Sequence, residues 1–279
     1  MTEELKKLTE SLDYIRTITD FEPEIAIVLG SGLGAIADSV NEAIVIPFSK
    51  IPNFPTSTTS GHSGELHLGW IGGVKVILFK GRVHLYEDYT IEEVVRPIRL
   101  ASLLGASKII LTNSAGAINT TFEVGDKILI SDHISSFVPS PIKGKLRTEF
   151  GSKLEFPDMS EVYDSQMKSV LRDVASRCGT TLKEGVYLQV AGAQYETPAE
   201  IRFYRSIGAD LVGMSSVIEA ISARHAGMKV CTISTVTNMA SGIEKKELTH
   251  EEVKEVGAIA SQTLAEILKE SLEEIRNIK

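Results

Sequence analysis

Apolar residues recur along this chain in two patterns, and each pattern predicts a different element. Short continuous apolar runs are typical of strands that are covered on both faces, because every side chain of such a strand is buried. These runs lie at residues 25–29, 74–79, 109–112, 127–130, 186–190, 211–214 and 230–235. Between them, apolar residues recur at the spacing of an amphipathic helix. The predicted helices cover residues 2–19, 91–104, 161–177, 198–207 and 217–226, and a last one follows Thr249.

The alternation of strands with helices predicts an α/β fold in which a mainly parallel sheet lies between helix layers. One pair of strands departs from this rule. Residues 65–70 and 74–79 are joined by Ile71-Gly72-Gly73, which favours an antiparallel hairpin, so the predicted sheet is mixed and largely parallel. No repeat or low-complexity linker divides the chain. We therefore predict a single domain over residues 1–279, with a central mixed, largely parallel β-sheet flanked by helices.

Composition and charge narrow the class of ligand. The 279 residues are 43% hydrophobic, enough for a large core, and the net charge is −8. Nucleic-acid binding depends on clustered Lys and Arg, so this acidic chain with dispersed basic residues is expected to bind a small ligand and no nucleic acid. Its two cysteines, Cys178 and Cys231, are too few for a disulfide framework. Because no segment reads as a signal peptide or reaches the ~18 apolar residues of a membrane span, we expect a cytoplasmic protein with no membrane partner.

A glycine-rich segment follows the first predicted strand. In Gly30-Ser31-Gly32-Leu33-Gly34, glycine allows the positive φ values with which consecutive N–H groups can face one anion, and Ser31 adds a hydroxyl. A tight strand-to-helix turn is the structural alternative, and a dinucleotide fingerprint is the functional one. The spacing is G-x-G-x-G, and the next apolar run ends at residues 46–49 without an acidic residue for a ribose hydroxyl. Phosphate is therefore favoured over NAD.

Two further segments offer groups that bind anions. Ser60-Gly61-His62-Ser63-Gly64 places an imidazole between glycines, and Gly81-Arg82-Val83-His84-Leu85-Tyr86-Glu87 follows a predicted strand. In the second segment, the alternate residues Arg82, His84 and Tyr86 are expected to face one way. A guanidinium can hold a phosphate through two parallel hydrogen bonds. A lone Arg or His is more often structural, but together with the glycine-rich segment these turns favour a functional site.

Polar residues that suit a heterocycle lie at two other places. Tyr195 and Glu196 precede a capped helix; Glu196 could merely complement the helix dipole, but an aromatic face beside a carboxylate also suits a ring with an N–H donor. Thr237 and Asn238 end a strand of the predicted sheet, where ligands gather in parallel sheets. The Asn238 amide can both donate and accept. Together the segments predict a site with phosphate at one end and a purine at the other.

The order and spacing of the polar segments resemble those of one enzyme family. The segments that carry the resemblance are Gly30-Ser31-Gly32-Leu33-Gly34, Ser60-Gly61-His62, Gly81-Arg82-Val83-His84-Leu85-Tyr86-Glu87, Thr112-Asn113-Ser114-Ala115-Gly116, Asp132-His133-Ile134, Tyr195-Glu196-Thr197, Gly213-Met214-Ser215 and Thr237-Asn238. They are similar to those of the trimeric class of purine nucleoside phosphorylases. The resemblance implies a pentosyltransferase of purine salvage, a homotrimer that cleaves 6-oxopurine (deoxy)ribonucleosides such as inosine and guanosine with inorganic phosphate as co-substrate.

The resemblance also implies roles for individual residues. Phosphate is expected to contact Ser31, His62, Arg82, Ser114 (through its backbone N–H) and Ser215, the ribose to contact His84, Tyr86, Met214 and His250, and the base to contact Tyr195, Glu196, Val212, Thr237 and Asn238. Asn238, Glu196 and His84 are the expected catalytic residues. Phe150 is expected to reach the site of a neighbouring subunit. Neither a metal nor a cofactor is expected, because the histidines lack the paired spacing of a metal-binding helix.

The chain departs from the family pattern at three places. Ala193-Gln194 stands where Pro-Ser usually precedes the aromatic–Glu pair, Ile218 replaces the usual proline before Glu219, and Lys145-Leu146 replaces Pro-Asn. These changes bear on the approach to the base and on a long loop, so they leave open the ranking among inosine, guanosine, deoxynucleosides and xanthosine. They touch none of the residues assigned to phosphate.

Two other functions stay open from the sequence. A methylthioadenosine phosphorylase catalyses the same reaction on a 6-aminopurine, and it is expected to carry an aspartate where Asn238 stands. A non-catalytic nucleoside-binding protein on the same fold is the alternative from a different class, and the complete set of phosphate-binding residues disfavours it.

Overall fold

The computed structural model describes residues 2–57, 64–144, 148, 155–245 and 248–279, apart from the side chain of His250. Within these residues it has six α-helices: α1 (Glu3–Ile18), α2 (Ile91–Leu104), α3 (Ser165–Arg177), α4 (Pro198–Ser206), α5 (Val217–His225) and α6 (His250–Arg276). The strands are β1 (Ile25–Val28), β2 (Asn41–Pro47), β3 (Glu65–Ile71), β4 (Val74–Lys80), β5 (Lys108–Ala117), β6 (Lys127–Ile134), β7 (Leu182–Gln189), β8 (Leu211–Gly213) and β9 (Lys229–Met239). Each predicted apolar run thus contributes to a strand.

Side-chain caps set where the helices begin. Thr197 Oγ1 accepts from Glu200 N at 3.2 Å, while the Glu200 carboxylate accepts from Thr197 N at 2.7 Å, so α4 begins with two donors satisfied. Helix α3 begins four residues later than its apolar spacing predicts. Asp164 is its cap, accepting from Met167 N at 2.9 Å, and the N–H of Asp164 donates to Val230 of β9 at 2.8 Å. That bond ties the chain before α3 to β9, so these residues do not extend the helix.

The segment after the glycine-rich loop is not a regular α-helix. Gly34–Ser39 forms a 3₁₀ helix, in which Ile36 N donates to Leu33 O at 3.1 Å.

Among the described residues, no helix is both long enough and apolar enough to cross a membrane.

The strands form one mixed sheet in the order β2-β3-β4-β1-β5-β8-β7-β6-β9. β1 is parallel to both β4 and β5, and the pairs β5–β9, β6–β7 and β7–β8 are parallel too. The predicted hairpin is confirmed: β3 and β4 are antiparallel, and Gly72 and Gly73 form the turn with φ of 56° and 79°. The predicted fold class is therefore confirmed.

Strand β5 joins two halves of the sheet. β9 pairs with β5 as well as with β6, so β5, β8, β7, β6 and β9 close into a ring, while β2, β3, β4 and β1 form an open half. The parallel strands β4, β1, β5 and β9 all end at the same edge of the sheet. Ligands of α/β proteins bind outside such carboxyl ends.

Both faces of the sheet are covered by apolar packing. Along β1, Ala26 and Val28 face a core that includes Leu8 and Ile15 of α1, while the alternate residues Ile25 and Ile27 face a second core that includes residues of α3 and α6. Successive side chains of a strand point to opposite faces, so a strand buried on both faces must be apolar throughout. This is the physical reason that the apolar runs identified the strands.

Candidate active site

The segments that follow the parallel strands meet around one cavity. Many of the sequence-predicted site residues line it: Ser31, Arg82, His84, Tyr86, Ser114, Tyr195, Glu196, Val212, Met214, Ser215, Thr237 and Asn238. The expectation that Arg82, His84 and Tyr86 face the same way agrees with this, because all three reach the cavity while Val83 packs in an apolar cluster. His62, Phe150 and Lys145-Leu146 lie outside the described residues. His250 begins α6, and only its backbone is described.

Arg82 lies at one end of the cavity and is almost fully buried, with 5% of its surface exposed. Its Nε donates to Glu219 Oε1 at 3.0 Å, and its Nη1 donates to Thr112 O at 2.8 Å and lies 3.5 Å from Ser215 Oγ. Its Nη2 is buried and has no hydrogen-bond partner among the described residues. A buried donor without a partner costs about 1–3 kcal/mol, so this nitrogen suits an acceptor supplied by a ligand.

The start of α5 shapes the same end of the cavity. Ser216, which precedes the helix, has φ of 78°. A non-glycine residue in this left-handed region is uncommon and has to be held there by its surroundings. The Ser216 N–H donates to Glu219 Oε2 at 2.8 Å, and Asn113 Nδ2 donates to Ser216 Oγ at 2.8 Å. These bonds fix the position of the preceding residue, Ser215, beside Arg82.

The glycine-rich loop uses part of its backbone internally. Gly30 N donates to Thr112 Oγ1 at 3.1 Å and Leu33 N donates to Gly30 O at 3.1 Å, so these two N–H groups do not face a ligand as the sequence alone suggests. The loop therefore offers an anion fewer backbone N–H groups than the sequence predicts. The loop also requires glycine at its first position, because a Cβ on Gly30 would lie 2.6 Å from Asn113 Cα of β5. Ser114 Oγ donates to Ser31 O at 3.1 Å and anchors the loop to the same strand.

His84 and Tyr86 form one wall of the cavity. Their rings stack at a centroid distance of 4.7 Å and an interplanar angle of 12°. Glu87 Oε1 lies 2.8 Å from His84 Nδ1 and also accepts from His84 N at 3.0 Å. A carboxylate at Nδ1 fixes the proton on that nitrogen of the ring. The imidazole is thereby held in one orientation.

Glu196 and Asn238 also line the cavity, and Asn238 belongs to β9, which β1 and β5 separate from β4 and the Arg82 end. Burial raises the pKa of the Glu196 carboxyl above its ordinary value, and the nearby Glu200 raises it further. Thr237 Oγ1 donates to Asn238 Oδ1 at 3.0 Å, and Asn238 Nδ2 donates to Met239 O at 3.1 Å. These bonds orient the amide, and each of its atoms keeps capacity for one further hydrogen bond.

Three buried polar residues in or beside the cavity were given no role from the sequence. Glu219, Asn113 and Gln189 are at most 2% exposed and bind other protein groups. Only Glu219 carries a readable signal, because Ser216-Val217-Ile218-Glu219 has the S-x-x-E spacing of a capping box. Asn113 and Gln189 lie within strands, where a single polar residue in an apolar run does not reveal what it bonds.

Comparison with known proteins shows the family of this chain. Residues 24–273 match the Phosphorylase superfamily. Purine nucleoside phosphorylase 1 of Geobacillus stearothermophilus is 45% identical over 88% of this chain and 89% of its own length. The purine nucleoside phosphorylase of Mus musculus is 39% identical over 92% of this chain and 91% of its own. The chain belongs to the purine nucleoside phosphorylase family. The resemblance of its motifs to this family is thereby confirmed.

Solved structures of the family share the whole fold. Schistosoma mansoni purine nucleoside phosphorylase in complex with inosine is similar to this chain with a TM-score of 0.91 and 34% identity, covering 100% of this chain and 99% of that one. The same enzyme in complex with adenosine gives a TM-score of 0.92, with 99% of each chain covered.

Within the described parts of the present chain, no group of three or more His, Cys, Asp or Glu residues is arranged to hold a metal ion.

Proposed function

We propose that this chain catalyses the phosphorolysis of 6-oxopurine (deoxy)ribonucleosides such as inosine and guanosine, releasing the free base and (deoxy)ribose 1-phosphate. The observation that supports this proposal most is that one cavity carries a buried guanidinium nitrogen without a partner at one end and Glu196 with Asn238 at the other. The first end suits an anion, and the second suits the polar edge of a purine. A nucleoside with its base at the second end and a phosphate at the first would place C1′ of the sugar between the base and the phosphate.

Phosphate binds at the Arg82 end in this proposal. Arg82 supplies Nη2, Ser215 and Ser31 supply hydroxyls, and Ser114 supplies its backbone N–H, with His62 completing the set from outside the described residues. Charge-assisted bonds of this kind are about twice as strong as neutral ones. Phosphate is the co-substrate, and no metal or organic cofactor takes part.

Between the two ends, His84, Tyr86, Met214 and His250 contact the ribose. The orientation of His84 by Glu87 matters here, because a fixed imidazole presents one defined nitrogen to a sugar hydroxyl. Holding the sugar and the phosphate in contact converts a bimolecular step into an effectively unimolecular one.

The purine is held by Tyr195, Glu196, Val212, Thr237 and Asn238. Glu196 accepts from N1–H of the base and fixes its orientation. As the bond between C1′ and N9 breaks, its electron pair moves into the purine and N7 takes up a proton from solvent. Asn238 accepts a hydrogen bond from that N7–H and so stabilises the charge only as it develops. A phosphate oxygen then forms the new bond to C1′ of the oxocarbenium-like sugar, giving the 1-phosphate.

A methylthioadenosine phosphorylase is the nearest alternative, and a nucleoside-binding protein without activity is the other. The amide of Asn238, where the first alternative would be expected to carry an aspartate, favours 6-oxopurines. The buried Arg82 end of the cavity favours catalysis over binding alone. A protein that only binds nucleosides has no use for an anion site beside the nucleoside site.

The proposal also covers the assembly of the chain and its location in the cell. We propose a cytoplasmic homotrimer that acts in purine salvage, with Phe150 of each chain reaching the nucleoside site of the next. A ring of three allows each chain to complete its neighbour through the same heterologous contact.

The test is to incubate the protein with inosine, with and without inorganic phosphate, and to measure hypoxanthine and ribose 1-phosphate. Equimolar products that appear only with phosphate are expected. Binding of inosine without turnover would support the non-catalytic alternative, while preferential cleavage of methylthioadenosine would support the other. A panel of inosine, guanosine, deoxynucleosides and xanthosine then ranks the substrates.

A further inference from the structure

Gln189 is the last residue of β7, and its side chain meets the first turn of α5. Its Oε1 accepts from Val217 N at 2.8 Å and from Ile218 N at 3.1 Å, across 28 and 29 residues of sequence. The residue is fully buried, with 0% exposed, and it does not line the cavity. Its Nε2 has no hydrogen-bond partner among the described residues. The role of this side chain is therefore concentrated in one oxygen that holds two backbone donors.

The helix that Gln189 holds carries the residue that orients Arg82. Glu219 lies on the first turn of α5 and accepts from Arg82 Nε with one oxygen and from Ser216 N with the other. The side chains of both Arg82 and Glu219 are 3% exposed. A buried ion pair is stable only with good geometry and additional hydrogen bonds, so the placement of α5 decides the placement of the guanidinium.

The contacts of Gln189 also decide what α5 can bind. The first N–H groups of a helix have no intrahelical partners and commonly bind anions. Here Gln189 accepts from the first two and Glu219 accepts from that of the preceding Ser216. Those donors are no longer open to phosphate, so the start of α5 contributes only the adjacent Ser215 hydroxyl to the phosphate end of the cavity.

One of the two bonds depends on the residue type at position 218. Ile218 has an N–H to donate, whereas a proline there would have none. The Ile218 N–H would be buried without an acceptor if Gln189 did not receive it. Gln189 and Ile218 thus act as a matched pair in this chain.

We propose that Gln189 is a positioning residue for the phosphate end of the site, acting through α5 and Glu219 on Arg82; this inference rests on the proposed function. Removing its carbonyl leaves the buried Ile218 N–H without an acceptor and leaves the Val217 N–H with only Ser215 O, at 3.1 Å. The first turn of α5 then shifts to find new partners. The nucleoside end, built from other segments, changes less.

The decisive variant is Gln189→Met, which has similar length and no hydrogen-bonding oxygen. We expect the KM for phosphate, and its Kd measured by calorimetry with inorganic phosphate, to rise about tenfold, with the KM for inosine changed less than about twofold. Ser222→Ala is the matched control, because Ser222 lies buried on the same helix and its hydroxyl has no hydrogen-bond partner within the described residues. It should leave the phosphate Kd unchanged.

A lower melting temperature with an unchanged phosphate Kd in Gln189→Met would show that Gln189 only stabilises the fold and would overturn the proposal. If that variant does not fold, Ile218→Pro removes one of the two bonds from the other side. It should raise the phosphate Kd by about threefold, and an unchanged value would again overturn the proposal. Base release by the unaltered protein tests the proposed function separately, because phosphate calorimetry compares the variants without turnover.

Discussion

The backbones of Gly32 and Gly257 lie in direct contact. A Cβ on Gly32 would come within 2.8 Å of Gly257 Cα, and a Cβ on Gly257 would come within 2.8 Å of Ser31 O. Gly32 also has φ of 78°, a conformation that side chains disfavour. Helix α6 therefore packs directly on the glycine-rich loop, and neither element can move toward the other.

Gly257→Ala should displace the loop and weaken phosphate binding, because the added methyl meets backbone that cannot rotate away. Overpacking of this kind costs about 1–3 kcal/mol, so we expect a lower melting temperature together with a higher KM for phosphate. The measurements are thermal unfolding and phosphate-dependent turnover. Ile259→Ala is the control, since Ile259 is 79% exposed on the same helix and should alter neither. Equal phosphate KM values in both variants would contradict a link between α6 and the loop.

Arg82→Ala should lower both phosphate affinity and stability. From the sequence alone, a phosphate-binding arginine at a turn is expected to be dispensable for stability, but the structure pairs it with buried Glu219. Breaking a buried pair by removing one partner costs about 3–5 kcal/mol.

Arg82→Lys separates the two effects. Lysine keeps a positive charge near Glu219 but cannot reproduce the planar set of donors, so its melting temperature should exceed that of Arg82→Ala while its phosphate KM stays high. Wild-type phosphate kinetics in Arg82→Lys would show that only the charge matters.

Asn238→Asp should change the preference between bases. The carboxylate replaces the Nδ2 donor that suits a 6-oxo group with an acceptor that suits a 6-amino group. A mismatch of this kind is worth about 1–3 kcal/mol, so the ratio of inosine to adenosine kcat/KM should fall by at least about fivefold. Asn238→Ala is the control and should lower both rates. An unaltered ratio in Asn238→Asp would mean that another residue reads the base.

Glu196 should make both activity and stability depend on pH. Burial raises the pKa of its carboxyl, so the carboxylate that accepts from N1–H is lost at a higher pH than for an exposed glutamate. The kcat/KM for inosine should therefore fall as the pH decreases through that raised value. For stability the sign is opposite: the folded state binds the proton more tightly, so stability decreases as pH rises through the same range.

Glu196→Gln separates these two consequences. It should lower inosine turnover and raise the melting temperature at neutral pH, with the difference in melting temperature shrinking in acid. Turnover profiles and unfolding at several pH values measure both effects. A variant less stable than the original protein at neutral pH would contradict the cost assigned to the buried carboxylate.

Phe150→Ala tests the shared site. If Phe150 reaches a neighbouring nucleoside site, its loss should raise the KM for inosine and leave the assembly intact, because one side chain is a small part of an interface of ~1,600 Å². Light scattering should give three times the 30.3 kDa of one chain for both proteins. A fully active species with the mass of one chain would exclude both the trimer and the shared site.

The sequence predicts the open half of the sheet better than the closed half. β1 is apolar at every position and β4 is interrupted only by Lys75 and Lys80, because both strands are covered on both faces, and the hairpin of β3 with β4 is local. The closure of β9 on β5, and the pairing of β8 with β5 through Gly116 and Ala117, join residues far apart in sequence. Neither periodicity nor turn chemistry carries information on which distant strands pair.

At the site, the sequence identifies groups that face the ligand and misses groups that hold them. Arg82, Glu196 and Asn238 stand out because each follows or ends an element and has no local role that explains it fully. Gln189 is hidden in an apolar run, and its bonds to Val217 and Ile218 exist only once β7 and α5 pack together. Positioning residues of this kind are defined by tertiary contacts.

The place of β9 in the ring has a consequence for synthesis on the ribosome. β1 to β5 are complete by residue 117, so the open half can pair while the rest of the chain is still being made. The edge of β5 that receives β9 stays uncovered until residues 229–239 emerge, and an uncovered strand edge is open to pairing with other chains. Since Thr237, Asn238 and α6 come with or after β9, a nascent chain gains its nucleoside pocket and loses its exposed edge in the same late step.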